Sequence, residues 1–364
     1  MNRQPVVLQL TDSLEAGGAE VVAINIANAL NHRKISSHLA VSRKEGSLKN
    51  RLENEVGYYF LNRTKLIDFR AFQKLHQYIN QHRITILHAH ASSWFLAVVM
   101  KLWNPSVKIV WHDHFGFSEQ LHKRNSFPIK MGSIFFKTTI SVNQILLDWA
   151  KKSLYAKYFY YLPNFVMKTR KNTAEKPTIL AGKSGKRIIC LANLRPQKDH
   201  LNLLNAFKMM HQGYPNWTLH LIGNKSDLKY YNEIQAFINQ NNLKEHVWIY
   251  GDQSDVSLLL TQADIGVLSS KSEGLPLALL EYGMAKLGVV VTNVGDCAEV
   301  LDNGKNGCLV HPSNAEEFAQ KMIFLINNEQ ERKTRGENLY QKVQTTYSEE
   351  AVCRQLLNIY YQLV

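Results

Sequence analysis

Short unbroken apolar runs alternate along this chain with longer segments of helical apolar spacing, and the alternation occurs twice. In the first half, Val6 to Leu10, Ser37 to Val41, Ile84 to His88 and Val107 to Trp111 read as strands. Between them, about Gly18 to Asn31, Phe69 to Gln81 and Ser93 to Trp103 read as helices. A second series begins with the strand Arg187 to Leu191 and continues through a helix over Leu201 to Met210, a strand over Trp217 to Ile222 and a helix over Tyr230 to Asn239. Strands over Val247 to Tyr250, Ala263 to Leu268 and Gly288 to Thr292 complete it. Strands that alternate with helices predict parallel βαβ units, hence an α/β chain of two doubly wound, Rossmann-like domains.

Between the two series, Asn172 to Lys186 is rich in Lys, Gly, Thr and Ser and has little apolar periodicity, the composition of a linker. The predicted domains are therefore 1–171 and 187–346. In the closing segment, 347–364, Ser348 can cap a helix that carries Val352, Leu356, Ile359, Tyr360 and Leu363 on one face. That face needs something to pack on. A length of 364 residues with 45% hydrophobic content is enough for two cores.

Composition narrows the function classes. The net charge of +13 is confined to one half: residues 1–180 hold 25 Lys and Arg against 11 Asp and Glu, the rest 18 against 19. A one-sided basic surface attracts nucleic acid, anionic lipid or a phosphorylated substrate. The stacking aromatics that would interleave with basic residues in a nucleic-acid binder are not seen, so no nucleic-acid partner is expected. Cys190, Cys297, Cys308 and Cys353 form no Cys-x-x-Cys pair and read as buried free thiols of a reducing, cytoplasmic compartment. No metal-ligand spacing of the His-Glu-x-x-His or clustered Cys/His kind appears, so no metal and no cofactor are expected. The apolar run Trp94 to Met100 is too short to span a bilayer, and the opening residues show no export signal.

The chemistry gathers at predicted strand ends, where ligands of open α/β sheets bind. After the strand Ala263 to Leu268 comes Ser272-Glu273-Gly274-Leu275-Pro276-Leu277-Ala278-Leu279-Leu280-Glu281. Pro276 reads as the first helical position, with Glu273 in the loop before it and Glu281 more than a turn inside the helix. A loop carboxylate beside helix N-terminal amides suits hydroxyls and a phosphate; the plainer reading is a first-turn helix charge and a solvated surface residue. Gly17-Gly18 opens the first helix, where missing side chains let a diphosphate approach or simply make a connection. Asn193 to His200, with Arg195 and Lys198, is a strand-to-helix turn able to clamp a diphosphate. Gly223 and Asn293-Val294-Gly295-Asp296 end further strands. His88 and His90, then His112-Asp113-His114, cluster at two strand ends of the first half, with Asp113 a candidate to orient an imidazole.

Together these residues resemble the retaining glycosyltransferases of the GT-B fold, in the family-four type with a Glu-x7-Glu motif that makes bacterial polysaccharides and lipid-linked glycans. The resemblance rests on Gly17 to Glu20, His112-Asp113, Arg195 to His200, Gly223, Ser272 to Glu281, Val294-Gly295 with Glu299, and Gly307 to Pro312. It implies two Rossmann-like domains facing a cleft, the first for the acceptor and the second for a nucleotide-sugar donor, UDP- or GDP-linked. The last helix would cross back to the first domain. It implies catalytic positions at His112, Glu273 and Lys198. Glu281 would bind ribose hydroxyls and Glu273 the donor sugar. Arg195 and Lys198 would hold the diphosphate, with Gly17, Gly18, Asn193, Gly223, Gly274 and Leu275 lining the donor. His90 and His114 are acceptor-side candidates. Asn193 stands where relatives commonly carry Arg. The reaction implied is metal-independent transfer of a hexose-type sugar to an acceptor hydroxyl with retention. A nucleotide-sugar epimerase of the same architecture, or a donor-binding protein without activity, is the alternative.

The basic and apolar stretch of Lys123, Arg124, Phe127, Ile129, Lys130, Met131, Ile134, Phe135, Phe136 and Lys137 is expected either to rest on an anionic membrane near a lipid-linked acceptor or to be a core helix with a solvated rim.

Overall fold

The structure, a computed structural model, describes residues 4–364 apart from 16, 117–120, 123, 168–177 and 254. It divides into two compact units: residues 1–167 with 349–364, and residues 168–348. Most of the expected linker, including Asn172 to Pro177, lies outside the described residues, as does Lys123.

Unit 1 carries the strands β1 (Val7–Ser13), β2 (Ser37–Lys44), β3 (Gly57–Phe60), β4 (Ile86–His90), β5 (Lys108–Asp113), β6 (Phe136–Ser141) and β7 (Tyr158–Tyr161). They form one sheet in the order β3-β2-β1-β4-β5-β6-β7, parallel throughout. Unit 2 repeats the plan with β8 (Arg187–Leu191), β9 (Thr218–Ile222), β10 (Val247–Gly251), β11 (Ile265–Leu268), β12 (Gly288–Thr292) and β13 (Cys308–Val310), in the order β10-β9-β8-β11-β12-β13, again parallel. Both are doubly wound sheets whose strand order reverses at the first strand, so each has a crevice at the carboxyl ends of its two central strands. Helices on both faces explain why β4, β9, β11 and β12 are buried at every position, and why β11 and β12 read as plain apolar runs.

Local chemistry sets the helix starts that frame these crevices. The side chains of Asp68, Asn143 and Asp227 each accept a backbone N–H three residues on, opening the helices Phe69–Gln81, Gln144–Ser153 and Leu228–Gln240. The last helix, Glu349–Tyr361, packs within unit 1 against the helix Gly18–His32. Val352, Leu356 and Tyr360 are fully buried there, and Arg33 Nη1 lies 2.6 Å from Glu349 Oε1.

Two expectations need correction. Pro276 is not the first helical residue but the extended cap ahead of the helix Leu277–Met284, with φ −72° and ψ 117°. Its fixed φ suits either position; the following residue makes the turn. The stretch from Phe127 to Phe136 is not one helix. It breaks into a helical turn and a half at Phe127–Gly132, a tighter turn at Ser133–Phe135, and the start of β6. Gly132 sits against the Trp94 ring, where a Cβ would come within 2.6 Å.

Candidate active site

In unit 2 the crevice lies between the loops that follow β8 and β11. The loop after β8 is tied to its neighbour after β9, with Asn193 Oδ1 accepting the Asn224 amide at 2.9 Å and Leu194 N–H donating to Asn224 O at 2.9 Å. This close approach requires glycine at 223: its φ is +154°, and a Cβ there would lie 2.1 Å from Ala192 O. Asn193 thus uses its side-chain oxygen to fix the loop.

The chain then makes a tight turn at Pro196–Lys198 and passes through Asp199 in the left-handed region (φ 50°, ψ 46°) into the helix His200–His211. Ser269 Oγ donates to Lys198 O, Lys271 N–H to Gln197 O, and Gln197 Nε2 to Ser272 O, stitching this turn to the loop after β11. The result is a direct contact: Lys198 Nζ lies 2.6 Å from Glu273 Oε1, and Ser270 Oγ donates to the same oxygen at 2.6 Å. Glu273 is only 6% exposed. Arg195 is exposed three residues ahead of Lys198.

Gly295, at φ +53°, backs the loop from the far side. A Cβ there would sit 2.2 Å from Gly274 O, and the next amide, Asp296 N–H, donates to Gly274 O at 2.9 Å. Leu275 is buried, and Glu281 is half-buried on the helix that Pro276 caps. Its neighbour Tyr282 lies against Gly266 and receives the Leu191 amide, locking this helix to β8 and β11. Burial pushes the Cys190 thiol up to about 12, so it offers no thiolate at neutral pH. Burial, with Lys198 nearby, lowers His200 to about 4, so it is neutral beside the lysine.

In unit 1, Gly17 is the extended cap of the helix Gly18–His32. A Cβ on Gly18 would meet nothing within 4 Å, so packing within the chain gives no reason for glycine there.

The histidines form one layer. The strand register pairs Gln9 with His88 and His90 with His112, so side chains from β1, β4 and β5 share a face. His90 Nε2–H donates to Gln9 Oε1 at 2.8 Å, while His90 Nδ1 lies 3.0 Å from His114 Nε2. His88 Nε2 lies 3.2 Å from His112 Nδ1, and His88 Nδ1 meets the hydroxyl of Tyr360 from the last helix. Gln9 Nε2 donates to that hydroxyl at 3.5 Å, which directs the Tyr360 proton to His88. His112 is 1% exposed, and its Nε2 has no hydrogen-bond partner among the described residues. Burial drives His88 and His114 down to about 3, and His90 and His112 well below the usual value.

Asp113 does not orient an imidazole. It turns to the opposite face and takes a bidentate contact from Arg124, at 2.6 and 3.0 Å, with the guanidinium packed over Trp111, Phe115 and Trp149. Adjacent strand residues point apart, which is why it cannot serve His112. Sequence reasoning also passed over Ser270 and Tyr360. The signal for Ser270 was a hydroxyl pair immediately after an apolar strand. Tyr360 read only as part of an apolar face.

Known proteins fit this geometry. Residues 172–342 match the family described as glycosyl transferases group 1, and residues 16–152 match glycosyltransferase family 4. An uncharacterized glycosyltransferase of Haemophilus influenzae is 24% identical over 319 residues, covering 86% of this chain and 88% of the relative. The Escherichia coli UDP-Gal:alpha-D-GlcNAc-diphosphoundecaprenol alpha-1,3-galactosyltransferase is 23% identical over 312 residues, 79% of each chain. Among solved structures, Anabaena HepE in complex with UDP-glucose has a TM-score of 0.81 at 18% identity, covering 98% of this chain and 99% of that one. A glycosyltransferase from Rickettsia africae gives 0.78 at 18% identity, with 99% of each covered. These two likenesses show the GT-B fold.

Proposed function

We propose that this chain, which belongs to the glycosyltransferase families its two halves match, moves a hexose-type sugar from a UDP- or GDP-sugar to an acceptor hydroxyl with retention of anomeric configuration. The setting is synthesis of bacterial cell-surface polysaccharide or lipid-linked glycan on the cytoplasmic side; the E. coli relative is named for a diphosphoundecaprenol acceptor. The contact between Lys198 and Glu273 at the mouth of the unit 2 sheet carries this reading. In this reading Lys198 is the cation for a leaving diphosphate and Glu273 the carboxylate for sugar hydroxyls. An epimerase that keeps the bond between C1 and the diphosphate intact has no departing phosphate for a cation to stabilise.

In the proposed reaction the bond between C1 and the diphosphate oxygen breaks as the acceptor oxygen bonds to C1 on the same face. The acceptor proton passes to the departing diphosphate. Lys198, Arg195 and the amides at the start of the helix Leu277–Met284 stabilise that group's growing charge, and no divalent ion is needed there. Glu273 accepts hydrogen bonds from the donor sugar, and Glu281 from the ribose. Gly17 and Gly18 leave room for a diphosphate; His112 serves the transferred sugar, while His90, buried with both ring nitrogens engaged, and its neighbour His114 hold the imidazole layer instead of contacting the acceptor. Acceptor-dependent release of UDP or GDP without added Mg²⁺ or Mn²⁺, with the product anomer read by NMR, tests this. An inverted anomer or transfer that requires added Mg²⁺ or Mn²⁺ would contradict it.

For the acceptor we propose contact with an anionic membrane. Phe127 is 70% and Ile134 58% exposed, with Met131 and Phe135 also exposed, beside Lys130 and Lys137. No helix among the described residues is long and apolar enough to cross a membrane. Sedimentation with phosphatidylglycerol vesicles at low salt should carry the protein down; its absence from the pellet would sink the idea.

A further inference from the structure

We propose that His88, His90 and His112, with His114 beside them, bind a divalent first-row transition ion of the Zn²⁺ type. One ring nitrogen from each of the first three lies within 4.8 Å of the others, and all three residues are buried. The inner contact, His88 Nε2 to His112 Nδ1 at 3.2 Å, is near the ligand spacing of a tetrahedral zinc site, about 3.4 Å for bonds of about 2.1 Å.

The outer nitrogens are already engaged as those of metal-ligating histidines are. Gln9 Oε1 accepts the proton of His90 Nε2, which leaves the Nδ1 lone pair facing inward. Tyr360 holds the outer nitrogen of His88; moving the His88 proton from Nε2 to Nδ1, where it can be donated to the Tyr360 oxygen, frees the second ligand without loss of a proton. His112 offers Nδ1 and keeps its proton on Nε2, the buried nitrogen that has no partner among the described residues. His114 borders this three-histidine set, its Nε2 3.0 Å from His90 Nδ1, and a water completes a four-coordinate shell. Imidazole sets select Zn²⁺, Cu²⁺ or Ni²⁺ over Mg²⁺ or Ca²⁺.

Such an ion clamps β4 to β5 and fixes the His112 ring with its Nε2–H outward, making it a positioning device rather than a partner of the donor diphosphate. That role for His112 rests on the transferase reading; the ion site does not.

The test uses full-length protein stripped with EDTA, reloaded with Zn²⁺ and desalted, with metal measured by mass spectrometry. Roughly one equivalent per chain should remain, dropping severalfold in His88→Gln and His90→Gln but not in the surface control His311→Gln. Co²⁺ loading of wild-type protein should give the intense visible bands of a four-coordinate site with three nitrogen ligands. This arm stands even if the variants misfold. No retained Zn²⁺ and no Co²⁺ bands, or retention unchanged in folded His88→Gln and His90→Gln, would overturn the proposal and leave a hydrogen-bonded imidazole layer. UDP binding should be unchanged by stripping, which separates failure of the ion site from failure of the transferase reading.

Discussion

Lys198 and Glu273, 75 positions apart in the chain, meet at 2.6 Å at the carboxyl ends of β8 and β11. Ser270 completes the arrangement by donating to the same carboxylate oxygen. The pair is largely screened from water, so each charge depends on the other. A diphosphate entering beside it would give Lys198 a second anionic partner.

Replacing Lys198 by Ala should lower kcat/KM about 10²- to 10³-fold through the lost stabilisation of the leaving group. It should also lower stability, since Glu273 is left buried without its cation. Glu273→Gln keeps the shape and two polar atoms, so donor binding should weaken modestly and some transfer persist. Steady-state kinetics on both variants check this; complete loss of turnover with intact donor binding in Glu273→Gln would point instead to a chemical role for the carboxylate.

Gly223→Ala and Gly18→Ala should separate folding from function. The first forces a Cβ against Ala192 O at a positive φ and should cost at least about 2 kcal/mol, a fall in Tm of several degrees. The second meets open space and should leave Tm nearly unchanged while raising the KM for the donor. Thermal denaturation beside donor titration distinguishes them.

Tyr360→Phe removes the hydroxyl shared by His88 and Gln9 and should cost about 1–3 kcal/mol, as expected for a buried polar group left unpaired. Denaturant unfolding measures it. An unchanged midpoint would mean that the last helix holds unit 1 by apolar packing alone.

Acid should destabilise the protein well before its carboxylates titrate. Burial lowers His38 to about 4, helped by the nearby His82, and lowers His200 to about 4. Between pH 4 and 6.5 the unfolded chain therefore binds more protons than the native one. The stability these two residues contribute is fully present above about pH 6.5 and lost as pH falls toward 4, at up to about 1.4 kcal/mol per pH unit for each. Tm should drop steadily from pH 7 to 5, with a shallower slope in His38→Gln. A flat profile would show that these rings stay accessible to protons.

Much of the fold was legible because buried parallel strands leave a plain signature. Arg187 to Leu191, Gly288 to Thr292 and the helix Phe69–Gln81 fall where periodicity put them. β13 escaped because three residues make no pattern, and β7 because its tyrosines lie at a sheet edge with partly exposed side chains. β6 was hidden by the apolar turn that runs straight into it. At the site, local sequence marked Lys198 and Glu273 as separate ligand-edge residues. Their contact depends on stitches between two loops, Gln197 to Ser272 and Ser269 to Lys198, that no local pattern encodes. The histidine layer was not assembled from the sequence for a similar reason: β4 supplies His88 and His90, its neighbour supplies His112, and only the register between strands brings them together.

The most direct measurement is nucleotide release from UDP- and GDP-sugars with and without a panel of glycan and diphosphate-lipid acceptors. Release of the nucleoside diphosphate should rise well above the acceptor-free rate for one donor and acceptor pair, and fall to that baseline in Lys198→Ala. Conversion of the donor to an epimer without release, or no acceptor-dependent release by a protein that binds the donor, would contradict transfer as the activity of this chain.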